Sequence, residues 1–248
     1  MWKYQISLVI LILIGAIVGY LFGSIVFAII ISKSITKTDI RTKGSNNPGF
    51  TNSIRVYGKK IAILVLVLDV LKSVVPVILF YLIYQYVLSK WIGISPNPSS
   101  TNFYDPKIFI YIPGVFAIIG HIFPIYFKFK GGKGVATYGG LCICLSPFIT
   151  LVAIVIIATC VLITKKMSIG SLVSACIVPF LVLVPGINYL YLYNPQISFF
   201  IKDLSYVTVQ LLPVFVMLVL MSGLVIFSHR ENIKKIINKT ENSIISKN

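Results

Sequence analysis

A short segment that combines glycine and lysine, KFKGGKGVAT at residues 128–137, separates two apolar stretches of the sequence. Glycine lets a backbone pass close to a ligand, and successive backbone amides can form an anion-binding nest. We therefore predict that Gly131, Gly132 and Gly134 form such a nest, with Lys133 as an added positive charge. Because Lys133 is followed by glycine rather than by serine or threonine, the segment is not a Walker loop, and nucleotide hydrolysis is not supported.

A second polar segment, GSNNPGFTNSIR at residues 44–55, has the pattern of a helix start. Asn47 is predicted to be the N-cap and Pro48 the first helical residue, which leaves the next backbone amides free to bind phosphate. Thr51 and Arg55 are one helical turn apart, so they place a hydroxyl and a guanidinium on the same face. A capped helix at the membrane interface, with Arg55 extended toward water, has the same pattern.

Two further segments bring hydroxyl, amide and basic groups to the ends of apolar stretches: TKKMSIGS at residues 164–171 and HRENIKKIINKTEN at residues 229–242. His229 and Arg230 directly follow an apolar stretch, where anchoring at the membrane interface is the alternative to binding a substrate. A packed, hydrogen-bonded role is expected for His121, which lies deeper in the membrane than the lysines of the glycine-rich segment. Four such segments in one chain indicate a site for an anionic ligand.

The elements that must position these segments are membrane helices. Hydrophobic residues make up 57% of the chain, charged residues 11%, and the mean hydropathy is +0.95, which is not typical of a water-soluble domain. The first apolar stretch, residues 5–32, is longer than the ~20 residues that cross a bilayer, and we predict a retained helix rather than a cleaved signal. The cysteines, at positions 142, 144, 160 and 176, lack metal-ligand spacing and are expected to be buried small hydrophobic residues.

Positive charge predicts the orientation of the spans. Of 22 lysines and arginines, 17 fall within residues 33–60, 128–133, 165–166 and 230–247, and all four groups are placed on the cytoplasmic side. Attraction to anionic lipid headgroups is the alternative role for most of these side chains. We predict a single all-α membrane domain, residues 1–248, with seven transmembrane helices, the N-terminus outside and the C-terminus inside.

The predicted spans are residues 5–32, 61–88, 108–127, two short spans within 135–164, 168 to about 184, and about 204–227. A turn at Ser146 and Pro147 is required between the two short spans, because one continuous helix would put Lys165 and Lys166 outside. Residues 95–106 and 185–202 are predicted to be external. Five spans is the alternative count, since the basic C-terminal tail requires an odd number.

Several of these segments resemble the motifs of a known enzyme family. GSNNPGFTN with an arginine three residues later, GHIFP with KFKGGKGVAT, and HRENI with NKTEN are similar, in order and spacing, to the signatures of the bacterial acyl-phosphate:glycerol-3-phosphate acyltransferases, the PlsY family. LDVLK, GSI and SIGS match its secondary patterns, and the resemblance covers nearly the whole chain. It implies an enzyme of the bacterial inner membrane, with its active site facing the cytoplasm. The enzyme would transfer a fatty acyl group from acyl phosphate, not from acyl-CoA or acyl carrier protein, to the 1-hydroxyl of glycerol 3-phosphate.

The resemblance also implies site residues. The acyl-phosphate site would be formed by Ser45, Asn47, Thr51, Asn52, Gly131, Gly132 and Gly134, and the glycerol 3-phosphate site by Arg55, Lys133, Ser171, His229 and Asn232. No dedicated catalytic residue is implied, because a substrate phosphate accepts the proton; His229 as general base is the competing hypothesis. No metal, cofactor or nucleic acid is expected beside the two substrates and membrane lipid. Asn46 replaces a glycine of the family pattern and is expected to keep its turn, while Phe50 replaces a smaller residue.

Two other classes of protein remain. A transporter of a phosphorylated solute would also have many spans and basic inner loops, but no inverted repeat is apparent. Its intramembrane charges, chiefly Asp69 and Lys72, are spaced as a local pair on one helix. A non-catalytic lipid-binding scaffold would not need the glycine-rich segment.

Overall fold

The computed structural model describes residues 2–84, 106–184 and 207–243, and in these ranges the chain is helical, without strands. Nine α-helices lie in this part of the chain. They are α1 (Trp2–Gly23), α2 (Phe27–Thr36), α3 (Phe50–Ile83), α4 (Ile112–Ile122), α5 (Val135–Leu145), α6 (Pro147–Thr164), α7 (Met167–Leu181), α8 (Val207–Ser228) and α9 (Arg230–Ile237). Three short 3₁₀ helices connect them, at Ile40–Thr42, Pro106–Tyr111 and Ile125–Phe127.

Four segments are long and apolar enough to cross a membrane: Val9–Thr36, Phe50–Ile83, Phe109–Phe127 and Pro147–Thr164. A fifth is formed if α8 is counted with α9, which is bent from it by 59°. Helices α5 and α7 are apolar but shorter. The multi-pass membrane architecture is therefore confirmed, and the predicted external residues 95–106 and 185–202, apart from Pro106, lie outside the described residues.

The predicted break between the two short spans is confirmed. Helix α5 ends at Leu145 and α6 begins at Pro147, with Ser146 in extended conformation between them (φ −161°, ψ 112°). The Ser146 hydroxyl accepts a hydrogen bond from the backbone amide of Ile149 (3.3 Å), and Pro147 has no amide that needs a partner. This serine N-cap followed by proline is a favourable helix start, which explains why the apolar stretch does not continue as one helix.

The packing of α1 against α4 depends on small residues. A methyl group at Gly19 would lie 2.1 Å from the carbonyl oxygen of Pro113, and one at Gly23 would lie 2.1 Å from that of Ala117. Glycine at both positions lets the two backbones approach closely, as membrane helices commonly do. Helix α4 is thereby fixed in the protein interior, where it carries His121.

The start of α3 differs from the prediction. Gly49, not Asn47, is the N-cap, and the first helical residue is Phe50 rather than Pro48. The amide of Gly49 donates to the carbonyl oxygen of Asn47 (3.0 Å), so Pro48 lies at the centre of a tight turn and the helix begins only after it. Within α3, Gly58 (φ 80°, ψ 178°) interrupts the helical conformation and separates residues 50–57 from the apolar remainder.

The cysteine prediction is partly wrong. Cys142 and Cys144 are buried, Cys160 is half-buried, and Cys176 is exposed on α7. The outer face of a membrane helix meets lipid rather than water, so a weakly polar thiol is tolerated there.

Candidate active site

Polar side chains from distant parts of the sequence line one cavity of about 540 Å³. Most of its walls are formed by helices α3, α5, α6 and α7, the loop at residues 45–49, residues 133–134, and the end of α8 with the segment after it. The hydroxyl, amide and charged residues that the loops and helix ends contribute are Ser45, Asn47, Thr51, Arg55, Lys133, Ser168, Ser171, His229, Asn232, Glu241 and Asn242, and Asp69 and His121 also line the cavity. The apolar part is lined by side chains such as Leu66, Ile143, Ile157 and Val178.

Asn52 shapes the segment of residues 44–55 and does not line the cavity. It is fully buried, and its Oδ1 accepts a hydrogen bond from the amide of Ser45 (2.8 Å). Its Nδ2 donates to the carbonyl oxygens of Lys43 (2.9 Å) and Ile40 (3.3 Å). These bonds hold a loop in which Asn46 has φ 59°, so the expectation that Asn46 would keep the turn is confirmed. Asn52 thus holds the loop that places Ser45 in the lining of the cavity.

Arg55 lies at the edge of the cavity, one turn after Thr51, as the spacing predicts. Its Nη2 atom donates to the backbone carbonyl oxygens of Ser243 (3.2 Å) and Asn242 (3.4 Å). These contacts bring the end of the described chain back over the cavity, although nearly 190 residues separate it from α3. The guanidinium therefore joins two of the predicted segments.

The glycine-rich loop is bound to the end of α4. The amide of Gly131 donates to the carbonyl oxygen of Ile122 (3.1 Å), and that of Gly132 donates to the carbonyl oxygen of His121 (3.0 Å). These two amides are used inside the protein, so the predicted anion nest is not formed by them, and neither glycine lines the cavity. Gly134 does line it, with the positive φ (79°) that favours glycine, at the N-cap of α5.

A buried charged cluster supports this loop. A methyl group at Gly132 would lie 2.2 Å from Nε2 of His121, so the backbone rests directly on the imidazole. The other ring nitrogen, Nδ1, forms a hydrogen bond with Nζ of Lys72. Lys72 also pairs with Asp69 (3.0 Å) and donates to the carbonyl oxygen of Ile25 (3.2 Å). The expected local pair and the expected packed role of His121 are both confirmed.

Lys133 provides positive charge inside the cavity. Its backbone carbonyl accepts a hydrogen bond from the hydroxyl of Ser228 (2.9 Å), which ties the glycine-rich loop to the end of α8. Burial lowers the pKa of Lys133 to about 8, and the nearby Glu241 opposes that shift. The ammonium therefore remains largely protonated at pH 7, and an anion that enters the cavity meets a partly desolvated cation.

His229 follows α8 and is almost fully buried, yet it lines the cavity. Its Nδ1 donates to the backbone carbonyl of Val225 (2.7 Å), and burial together with Lys133 lowers the pKa of the imidazole to about 4. The ring is therefore neutral at pH 7, with its proton on Nδ1 and Nε2 as a hydrogen-bond acceptor. In this state the side chain can orient a substrate hydroxyl.

Asn232 connects α9 to α7 and to the tail. Its Nδ2 donates to the hydroxyl of Ser168 and to Oε1 of Glu241, both at 2.7 Å. Sequence reasoning did not assign Ser168 or Glu241 to the site. The signal for Glu241 was available, since it is one of only six acidic residues and lies in a basic tail.

The cavity thus collects most of the predicted site. The predicted residues that line it are Ser45, Asn47, Thr51, Arg55, Lys133, Gly134, Ser171, His229 and Asn232. Asn52, Gly131 and Gly132 instead hold the loops behind these residues.

Comparisons with known proteins identify the family of this chain. The family model described as glycerol-3-phosphate acyltransferase matches residues 13–239. A glycerol-3-phosphate acyltransferase of Ureaplasma parvum is 40% identical over 98% of this chain and 93% of its own length, and one of Mycoplasma pneumoniae is 37% identical over 98% of each. Crystal structures of PlsY, an integral membrane glycerol 3-phosphate acyltransferase, in glycerol 3-phosphate and lysophosphatidic acid forms, superpose with TM-scores of 0.67 and 0.66. They are 29% and 28% identical and cover 94% of each chain. The chain belongs to the glycerol-3-phosphate acyltransferase family, the family of PlsY.

Proposed function

We propose that this protein transfers a fatty acyl group from acyl phosphate to the 1-hydroxyl of glycerol 3-phosphate, which gives lysophosphatidate and inorganic phosphate. The observation that carries the proposal is the continuity of the cavity: basic and polar side chains such as Arg55 and Lys133 share it with an aliphatic lining. A phosphate that bears a fatty chain needs both environments within one site. A soluble phosphorylated solute would need only the polar one.

The apolar part of the cavity fits an acyl chain. Helices α3, α5, α6 and α7 contribute Leu66, Ile143, Ile157 and Val178 to it. Ile143 and Ile154 are also exposed on the outer surface, where lipid surrounds a membrane protein. A chain that lies between these helices loses no contact with apolar surroundings when it leaves the bilayer, and its phosphate stays at the level of the polar loops.

The polar part is divided between the two phosphates in our proposal. Ser45, Asn47, Thr51 and Gly134 bind the acyl phosphate, and Arg55, Lys133, Ser171, His229 and Asn232 bind glycerol 3-phosphate. Arg55 and Lys133 differ in their use, because guanidinium makes planar two-pronged contacts and ammonium acts as a point charge. Asn52, Gly131 and Gly132 act indirectly, through the loops that they hold.

The chemistry needs positioning more than a strong base. The 1-hydroxyl oxygen attacks the acyl carbon, the bond from that carbon to the phosphate oxygen breaks, and the departing phosphate takes the hydroxyl proton. Phosphate is a good leaving group, so alignment and stabilisation of the developing charge can supply most of the rate enhancement. Neutral His229 accepts a hydrogen bond from the substrate and orients it, and no acyl-enzyme is formed.

The proposed setting is a single seven-span domain of the bacterial inner membrane, with the cavity facing the cytoplasm and the N-terminus outside. Helices α5 and α6 are the two spans on either side of the break at Ser146, α7 is the next span, and α8 is the last. Single-cysteine labelling in a cysteine-free background tests it: positions 43, 133, 165 and 234 should be labelled only from the cytoplasmic side. Labelling of position 165 from outside would contradict the two short spans.

The activity is tested with purified protein in lipid vesicles, supplied with palmitoyl phosphate and labelled glycerol 3-phosphate. We expect lysophosphatidate and phosphate in equal amounts, and no product when palmitoyl-CoA replaces palmitoyl phosphate. An Arg55→Ala variant provides the inactive comparison. Uptake of glycerol 3-phosphate into the vesicles without lysophosphatidate would refute the proposal and favour a transporter.

A further inference from the structure

Two acidic residues, Asp69 and Glu241, line the cavity among the described residues. Asp69 is paired with Lys72, whereas Glu241 lies near Lys133 and His229. One carboxylate oxygen, Oε1, accepts a hydrogen bond from Asn232 (2.7 Å). The other, Oε2, is buried and has no hydrogen-bond partner among the described residues. A buried acceptor without a partner is costly, and in a binding site it points to a donor on the ligand.

The position of this carboxylate is fixed from two sides. Asn232 holds it through Oε1, and Arg55 binds the carbonyl oxygens of the next two residues, Asn242 and Ser243. Because Oε1 is occupied and the backbone is held, Oε2 keeps a defined place beside the cations that bind phosphate. A mobile surface acid would not impose a preference on a ligand, whereas an acceptor held in this way does.

The chemistry of a carboxylate limits what Oε2 can contact. It only accepts hydrogen bonds, and it repels phosphate oxygens, which are acceptors of like charge. On the proposed function, acyl phosphate offers it no hydroxyl, whereas glycerol 3-phosphate offers two. The 1-hydroxyl must attack the acyl carbon, and a carboxylate beside that reaction would oppose the negative charge that develops on the acyl oxygen. The 2-hydroxyl stays unreacted and is the suitable donor.

We propose that Oε2 of Glu241 accepts a hydrogen bond from the 2-hydroxyl of glycerol 3-phosphate and makes the site specific for a glycerol phosphate. This inference rests on the proposed function. A site that holds a buried acceptor for a hydroxyl rejects an analogue that lacks the hydroxyl, because the acceptor is then left unpaired.

The test compares glycerol 3-phosphate with 1,3-propanediol monophosphate, which lacks only the 2-hydroxyl, using palmitoyl phosphate as the donor. We expect the wild-type kcat/KM to favour glycerol 3-phosphate about tenfold or more. In Glu241→Gln, Oε1 still accepts from Asn232 while an amide donor replaces Oε2. This variant should lose about tenfold in kcat/KM for glycerol 3-phosphate and little for the analogue. The ratio of the two kcat/KM values therefore falls toward one.

Glu231→Gln is the matched control, because Glu231 is exposed on α9 with Lys234 as its partner (3.7 Å). This variant should leave kcat/KM unchanged for both glycerol 3-phosphate and the analogue. Equal losses on the two substrates in Glu241→Gln would overturn the inference, since an acceptor for the 1-hydroxyl or a purely structural acid acts on both alike. Equal wild-type use of the two substrates would also overturn it, and needs no variant. If the wild type acylates neither substrate, the proposed function itself fails.

Discussion

Replacement of Gly132 by alanine tests whether the cluster beneath the glycine-rich loop positions the site. The added methyl would lie 2.2 Å from Nε2 of His121, while ordinary contact begins at 3.4 Å, so the two atoms must separate by about 1.2 Å. Either the imidazole or the loop must move. The contacts of the imidazole and of the loop indicate which of the two moves.

The imidazole has the stronger single contact of the two groups. It is buried and bonded to Lys72, and a hydrogen bond to a charged group contributes about 1.5–3 kcal/mol. The two loop bonds nearest the added methyl, from the amides of Gly131 and Gly132, are neutral and contribute about 0.5–1.5 kcal/mol each, so either can lengthen at a smaller cost than the bond to Lys72. We expect the loop to shift by about 1 Å and to displace Lys133, and a misplacement of that size costs about 100-fold in rate. This corresponds to about 2.7 kcal/mol of transition-state stabilisation.

The assay is a double-mutant cycle on kcat/KM with Gly132→Ala, His121→Ala and the combination, in protein whose insertion into lipid is verified. If the methyl acts by displacing the loop from His121, removal of the ring should help. The kcat/KM of the double variant should then be at least tenfold higher than that of Gly132→Ala alone. Gly223→Ala is the control, because nothing lies within 4 Å of its added methyl. A double variant no better than Gly132→Ala would refute this reasoning and mean that the methyl obstructs the substrate directly.

Three further outcomes are expected from steady-state kinetics. Arg55→Lys keeps the charge but loses the planar two-pronged contact, so kcat/KM should fall about tenfold or more; wild-type activity would remove Arg55 from phosphate binding. His229→Gln keeps a hydrogen-bond acceptor, so kcat should be partly retained while KM for glycerol 3-phosphate rises; a loss of kcat above about 100-fold with KM unchanged would restore His229 as general base. Because burial lowers the pKa of Lys133 to about 8, kcat/KM should fall as pH rises through that value, and Lys133→Arg should move the fall to higher pH; an unchanged profile would contradict the role of Lys133.

The sequence could predict that these residues lie near one another, because membrane helices fix the depth of the residues at their ends. Lys133 precedes the apolar helix α5, and His229 follows the apolar helix α8, so both are held at the level where those helices end. Motifs at the ends of spans on one side of a bilayer lie in a common layer before any packing is known. The break at Ser146 was predictable for the same reason, since charge placement required it and serine with proline favours it.

The partner of each polar group could not be predicted. An amide such as Asn52 and the backbone amides of Gly131 and Gly132 can serve a phosphate or a carbonyl oxygen equally well, and sequence reports only that they are present. The structure assigns them to carbonyl oxygens and, for Asn52, also to a backbone amide. Glu241 was missed although it is an acid in a basic tail, because that tail has no hydrophobic periodicity. Its place depends on the bond from Asn232 and on the long-range contacts of Arg55 with the next two residues.

The polar groups consequently form two layers with different consequences for mutation. Side chains of the inner layer, such as Lys133 and His229, line the cavity, and changes there alter contacts with substrate. Asn52 lies outside the lining and holds the loop of Ser45, whereas His121 reaches the lining but supports Gly132. Changes at these two residues act by moving an inner residue. A defect of the first kind depends on the substrate that is varied, whereas a defect of the second kind can be repaired by a compensating change in the protein. Rescue within the protein, rather than loss of activity, is therefore the measurement that separates the two layers.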